Sequence, residues 1–257
     1  MGERSTPRPR ATIVVPAEVV QSLAMVTRSL NAPVVLIGGW AVRCRLLMAK
    51  SASRPTDDLD ILLVTAARPA RAALEAINAV QSDPSHPCRL DGLPLLVDVL
   101  ADELPSGAAP GRPGRVDERI EDPDGLNLLV PPFGGLLARS AEPMRLLATD
   151  EASETVVLLP LAGALLAAKT ANVALEFRTA EKRASDGEDI VRLTEAFGTL
   201  ALLADLTHAT QEERVDLHHH LLQLGAGGIS GQARASGLTH DVDRLRITID
   251  QLTAGLA

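Results

Sequence analysis

Apolar positions along the chain change their spacing twice. Between Pro16 and Leu30 they fall at Val19, Val20, Leu23, Val26 and Leu30, the single stripe of a helix. Pro33–Ile37 is then a short β-branched run ending in Gly38-Gly39, which predicts a strand delivered into a tight turn, and helix resumes from Trp40 to Met48. Leu59–Val64, bounded by polar Ser51–Asp57, predicts a second strand, and the Ala-rich stretch Ala67–Val80 a helix. Leu93–Leu100 predicts a third strand, buried on both faces except at Asp98. Asp102–Asp124 carries Gly and Pro without any apolar period and reads as a long loop, leading to a hairpin-like Leu126–Val130. Met144–Ala148 and Thr155–Leu159 add two short strands. Beyond Pro160 the spacing is helical throughout, over Leu161–Glu176, Gly187–Asp205, Gln211–Leu224 and His240–Leu256.

The order of elements predicts an α+β chain, a small mixed sheet with flanking helices followed by a helical C-terminal part. It divides into a mobile tail over 1–11, an α/β domain over 12–159 and a helical domain over 160–257. The longest apolar run, Val156–Ala168, contains Pro160 and Gly163 and stops at Lys169, short of the ~20 residues a membrane span needs. No membrane partner is therefore expected. Two cysteines, Cys44 and Cys88, lie too far apart for a metal knuckle; Cys44 reads as a helix-core residue and Cys88 as a loop residue, and a reduced cytoplasm is the expected compartment. The formal charge of −8 argues against coating nucleic acid by bulk attraction, though not against a local basic groove. With 2% aromatic residues and no tyrosine, base-stacking platforms for single strands are not expected.

Chemistry concentrates in Arg54-Pro55-Thr56-Asp57-Asp58-Leu59-Asp60-Ile61. Side chains two apart on a strand share a face, so Asp58 and Asp60 repel one another unless a cation lies between them. A divalent cation with oxygen ligands gives an apolar strand a reason to begin with two aspartates; an Asp-rich loop before a strand is the plain alternative. Upstream, Gly38-Gly39 lets backbone approach a phosphate at a helix start, or is simply a turn. Downstream, Asp98 interrupts an apolar strand, a costly position unless it is paired or metal-bound.

Gly38-Gly39 followed by Arg54-x-Thr56-x-Asp58-Leu59-Asp60-Ile61 resembles the polymerase-β-type nucleotidyltransferase superfamily. Within it the chain looks most like the AbiEii-type toxins of type IV toxin–antitoxin systems, including the tRNA-modifying MenT-like enzymes. The likeness covers about Val34 to Asp98 and a second stretch near Lys169–Leu193. It implies a two-Mg²⁺ enzyme that moves an NMP from an NTP to an acceptor hydroxyl, here on tRNA, with a cognate antitoxin protein as partner. Asp58, Asp60 and Asp98 would hold the ions, Gly38, Gly39, Arg54 and Thr56 the nucleotide. The superfamily usually has Gly-Ser where this chain has Gly38-Gly39. Gly38-Gly39-Trp40-Ala41 is instead similar to aminoglycoside and lincosamide nucleotidyltransferases, so a drug-modifying enzyme is the alternative, and a non-catalytic nucleotide-binding module a second one.

The chain has only three lysines, and one of them, Lys169, ends an apolar run. The resemblance gives it a catalytic role on the triphosphate, followed by an Asp-x-x-Asp matched here by Asp186 and Asp189. A snorkelling surface lysine and helix-capping aspartates are the alternatives. Arg178, nine residues after Lys169, can reach the same ligand only if the helix ends near Glu176. His218-His219-His220 splay apart on a helix and read as surface or packing residues. A tRNA substrate asks for an arginine strip, with Arg43, Arg45, Arg54, Arg112 and Arg115 as candidates, or these are solvated surface. A cationic drug asks for spare carboxylates such as Asp57, Glu118 and Glu121.

Overall fold

The computed structural model describes residues 8–31, 34–63, 88–90, 92–101, 119–121, 127–174, 178–227 and 242–257. The helix predicted over Ala67–Val80 and most of the predicted 102–124 loop lie outside them. The strands are β1 (Thr12–Val15), β2 (Val35–Ile37), β3 (Leu59–Leu63), β4 (Cys88–Leu90), β5 (Val97–Ala101), β6 (Arg119–Glu121), β7 (Asn127–Leu129), β8 (Glu142–Ala148) and β9 (Glu154–Leu159). The helices are α1 (Ala17–Leu30), α2 (Gly38–Met48), α3 (Gly134–Arg139), α4 (Ala162–Ala174), α5 (Ala180–Phe197), α6 (Thr199–Asp205), α7 (Gln211–Gly227) and α8 (Val242–Leu256). The chain is of the α+β class, one mixed sheet with flanking helices, and every described element after β9 is a helix.

Sheet order is β1-β8-β9-β2-β3-β5-β7-β6, with β4 also paired to β5. The sheet is mixed, with parallel pairs β1/β8, β9/β2, β3/β5 and β5/β7 and antiparallel pairs β8/β9, β2/β3, β4/β5 and β6/β7. β2 and β3 are apolar almost throughout because both sheet faces are covered, the signature of a central strand. α1 lays Val19, Val20, Leu23 and Val26, all fully buried, against β8 and β9. It stops at Asn31, whose left-handed backbone lets its N–H reach the carbonyls of Thr27 and Arg28. One hydrophobic cluster runs from Ile13 in β1 to Leu252 in α8, so sheet and C-terminal helices share a core. Among the described residues no helix is long and apolar enough to cross a membrane.

Several boundaries differ from those expected. The predicted tail ends earlier: Arg10 already donates its N–H to Pro143 O and pairs with Glu142. β1, α3, β4 and β6 were not anticipated, and Cys88 opens β4 rather than sitting in a loop. The turn after β2 contains no spacer, since Gly38 is itself the first residue of α2. The helix expected over Gly187–Asp205 is two helices, the first beginning earlier, at Ala180, and the second ending at Asp205 as expected. Thr179 caps α5 by accepting from Lys182 N–H, and Gly198, at φ +74°, separates α5 from α6. Asp186 and Asp189 consequently lie inside α5, past its first turn, which removes the capping alternative for both.

Candidate active site

Three adjacent strands bring the predicted residues to one point. Ile37 on β2 is the register partner of Asp60 on β3, and Asp60 is the register partner of Asp98 on β5. Register partners present their side chains to the same face of a sheet whose strands are about 4.8 Å apart, so Asp60 and Asp98 stand side by side. Asp58 precedes β3 by one residue and is exposed, while Asp98 is only 8% exposed.

The glycine turn packs directly onto this row. Gly38 has φ +65°, and a β-carbon there would stand 1.9 Å from Asp60 Oδ2. Only glycine permits both the left-handed turn and the closeness of that carboxylate. A β-carbon on Gly39 would stand 2.7 Å from Thr56 Oγ1 and 3.2 Å from Arg54 Nη2. No side chain caps the N-terminus of α2. Backbone, hydroxyl, guanidinium and carboxylate thus meet at the β2–α2 junction.

Around Asp60 the neighbouring charges are on balance negative. The Asp60 carboxyl is pushed up from 3.8 to about 6, first by burial and then by the charges of Asp58 and Asp98, with Lys169 and Arg178 offsetting only part of this. Among the described residues no three His, Cys, Asp or Glu side chains already enclose an ion position. Mg²⁺ is ordinarily held by one or two carboxylates together with substrate phosphates and water, not by an all-protein cage. A half-buried carboxylate flanked by two more, with its proton held too tightly, is a donor set suited to such an ion.

Behind the row lies a buried ionic cluster. Lys169 on α4, 6% exposed, places Nζ 2.7 Å from Asp186 Oδ1 and 2.8 Å from Asp189 Oδ2 on α5. Arg54 forks onto Asp189, with Nε 3.0 Å from Oδ1 and Nη2 3.1 Å from Oδ2, the bidentate geometry a guanidinium favours. Arg178 Nη2 is 3.0 Å from Asp186 Oδ2. Arg178 itself stands at a bend outside α4, two residues before α5 begins, so the straight-helix geometry that would have turned it away from Lys169 does not apply. Burial opposes the charge on Lys169, but Asp186 and Asp189 outweigh it and raise its pKa above the ordinary value. Three cations face two carboxylates, leaving one net positive charge next to the aspartate row. The sequence singled out all five residues but not their pairing, and Lys169 is not the snorkelling surface residue that was its alternative. Two of its three N–H donors are engaged within the cluster, and Arg178 Nε is buried without a hydrogen-bond partner.

Among the described residues, the arginines of the predicted strip have separate engagements. Arg45 points inward from α2 and donates to Pro160 O at 2.7 Å and Leu159 O at 2.8 Å, tying α2 to the end of β9. Arg54 belongs to the ionic cluster, and Arg43 lies 4.5 Å over the buried Trp40 ring. Arg112, Arg115 and Glu118 fall outside the described residues. Asp57 is exposed, and Glu121 ends β6. Cys44 is fully buried in α2, where burial pushes its thiol up to about 12. In α7, His220 meets Phe133 edge-on and His219 Nε2 is 2.9 Å from Gln223 Nε2.

Comparison with protein-family models, curated proteins and solved structures finds no match for this chain.

Proposed function

We propose that the protein is a Mg²⁺-dependent nucleotidyltransferase that moves a nucleoside monophosphate from an NTP to an acceptor hydroxyl and releases pyrophosphate. The observation that carries this reading is the Ile37/Asp60/Asp98 register across three strands, with Gly38 folded onto Asp60. Two Mg²⁺ ions, held by Asp58, Asp60 and Asp98 together with the triphosphate, would supply charge neutralisation at the attacking and leaving oxygens. Around them, the chain's own groups position the reactants. The Gly38-Gly39 backbone lies against the phosphates. The Lys169–Arg54–Arg178 cluster, held rigid by Asp186 and Asp189, contributes its residual positive charge where pyrophosphate develops negative charge. The acceptor oxygen bonds to the α-phosphorus while the bond from that phosphorus to the α–β bridging oxygen breaks. Pyrophosphate leaves with that electron pair, and the acceptor's proton passes to the Asp98 carboxylate.

The acceptor we favour is tRNA, in a toxin countered by an antitoxin protein; the assembled Lys169/Asp186/Asp189 cluster supports it through the resemblance to AbiEii-type enzymes. A drug acceptor is the second reading. It is favoured by the inward Arg45 and paired Arg54, which leave fewer cations for a polyanion, and by exposed Asp57. Purified protein incubated with labelled NTPs and either total tRNA or an aminoglycoside and lincosamide panel, with inducible expression in bacteria, separates them. Labelled tRNA with growth arrest is expected. A labelled drug without toxicity replaces the acceptor, and label on neither favours a non-catalytic nucleotide-binding module.

A further inference from the structure

β1 forms one edge of the sheet, with β8 as its neighbour. Arg145 N–H donates to Ala11 O and Thr149 N–H donates to Val15 O, so the odd-numbered residues here turn their backbone groups toward β8. Backbone direction alternates along a strand, and Thr12 and Val14 therefore direct N–H and C=O outward, away from the sheet. Both residues are exposed, Val14 by 54%, while Ile13 and Val15 are buried in the core. Sheets blunt such edges with lysine, proline or a bulge inside the strand; the Thr-Ile-Val-Val of β1 carries no such residue and keeps an unbroken register with β8. The two ends of the strand also differ in charge. Exposed Arg8 lies beyond the Thr12 end. At the Val15 end stand exposed Glu18, in the first turn of α1, and exposed Asp150 and Glu151, in the β8–β9 turn that Thr149 ties to Val15.

We propose that a second copy of this chain covers the edge, its β1 running antiparallel to the first about a two-fold axis at Ile13. In that register Thr12 of each copy exchanges N–H···O bonds with Val14 of the other, so the outward groups of both strands are paired. The same axis brings the Arg8 end of each strand against the Glu18, Asp150 and Glu151 end of its partner, whereas a parallel pairing would set like charges together. The edge is thus complementary to itself in hydrogen bonding and in charge, which favours a second copy over an unrelated strand. The dimer is independent of the nucleotidyltransferase reading.

The test uses the full chain at low ionic strength. Sedimentation equilibrium should show a dimer with a Kd of about 1–100 μM, as a small edge contact allows, weakening as salt is added. Amide hydrogen exchange in the peptide that carries β1 should slow as protein concentration rises. Val14→Lys places a charge on the exposed side of the strand without touching its bonds to β8. It should raise the Kd at least about tenfold, with the melting temperature of the dilute protein nearly unchanged. Arg8→Glu and Glu18→Arg should each weaken the dimer by about three- to tenfold, and the double variant should associate more tightly than either single one. Wild type that stays monomeric at about 500 μM overturns the proposal. A dimer that Val14→Lys leaves intact lies on another surface and overturns it too. So does slow exchange at β1 that is independent of concentration, since the chain itself would then cover the edge. A double charge variant no tighter than the single ones overturns the antiparallel orientation.

Discussion

Replacing Asp60 by Asn should abolish activity and yet make the metal-free protein more stable at neutral pH. In the folded chain this carboxyl titrates at about 6 against an ordinary 3.8. Well below pH 3.8 it is neutral in both folded and unfolded states and costs nothing. As the pH rises through 4 to 6 the unfolded chain releases the proton more readily, so stability falls, and it stays lower above the folded value. A difference of about two pH units corresponds to about 3 kcal/mol at pH 7. Asn is isosteric and neutral, and its amide can donate to the neighbouring Asp58 and Asp98 carboxylates. The gain should appear as a melting temperature roughly 6–10 °C above wild type at pH 7 without divalent ions, shrinking to about 1–2 °C at pH 4. Differential scanning calorimetry of both proteins from pH 4 to 7.5 reads the difference, since titration of the remaining carboxylates is common to both. Mg²⁺ with NTP should raise wild type and leave the variant unmoved. A variant that melts at or below wild type at pH 7, or a difference independent of pH, refutes the electrostatic account of the aspartate row.

Asp189→Ala strips the fork from Arg54 and one of two partners from Lys169, and should cost about 3–5 kcal/mol in urea denaturation, the loss typical of breaking a buried ion pair; a loss under about 1 kcal/mol would mean that the cluster is not structural. Gly38→Ala puts a β-carbon into Asp60 Oδ2 at a left-handed backbone position, so it should lose nucleotide turnover together with about 2 kcal/mol or more of stability by the same assay. Native Cys44 should resist iodoacetamide at pH 8 and react only on unfolding; rapid native alkylation followed by mass spectrometry would contradict its burial.

What the sequence made legible follows from distance along the chain. Asp58 and Asp60 lie two apart at the start of an apolar strand, and Asp98 stands alone in another, so local chemistry marked them before any pairing was known. The turn was marked by its glycines, although its tightness against Asp60 and Thr56 is tertiary. β1 was invisible because four residues of alternating Thr12, Ile13, Val14 and Val15 acquire meaning only by pairing with Arg145–Ala148 on β8. The start of α5 was misplaced because Thr179 is followed three residues later by Lys182 and not by Glu or Gln, so no capping-box signature was present. Arg45 was read as part of an arginine strip or as solvated surface, both of which assume a side chain that points outward. Only the fold shows that the carbonyls of Leu159 and Pro160 converge on the side of α2 from which it projects. Lys169, Asp186, Asp189 and Arg178 were linked by the resemblance as groups around one ligand, but not as ion pairs, and Arg54 stood apart from them because 135 positions separate it from Asp189 and hide their contact from any local pattern.

The central claim is that an α-phosphoryl group is transferred and pyrophosphate leaves. The most direct measurement incubates the protein with Mg²⁺, total tRNA or the drug panel, and NTP labelled at either the α- or the γ-phosphate, while following pyrophosphate release. The account predicts α-label in the acceptor with one pyrophosphate per transfer, γ-label confined to pyrophosphate, and loss of both signals in folded Asp60→Asn and Asp98→Asn. Transfer of γ-label to the acceptor, or undiminished α-label transfer by either variant, would contradict it.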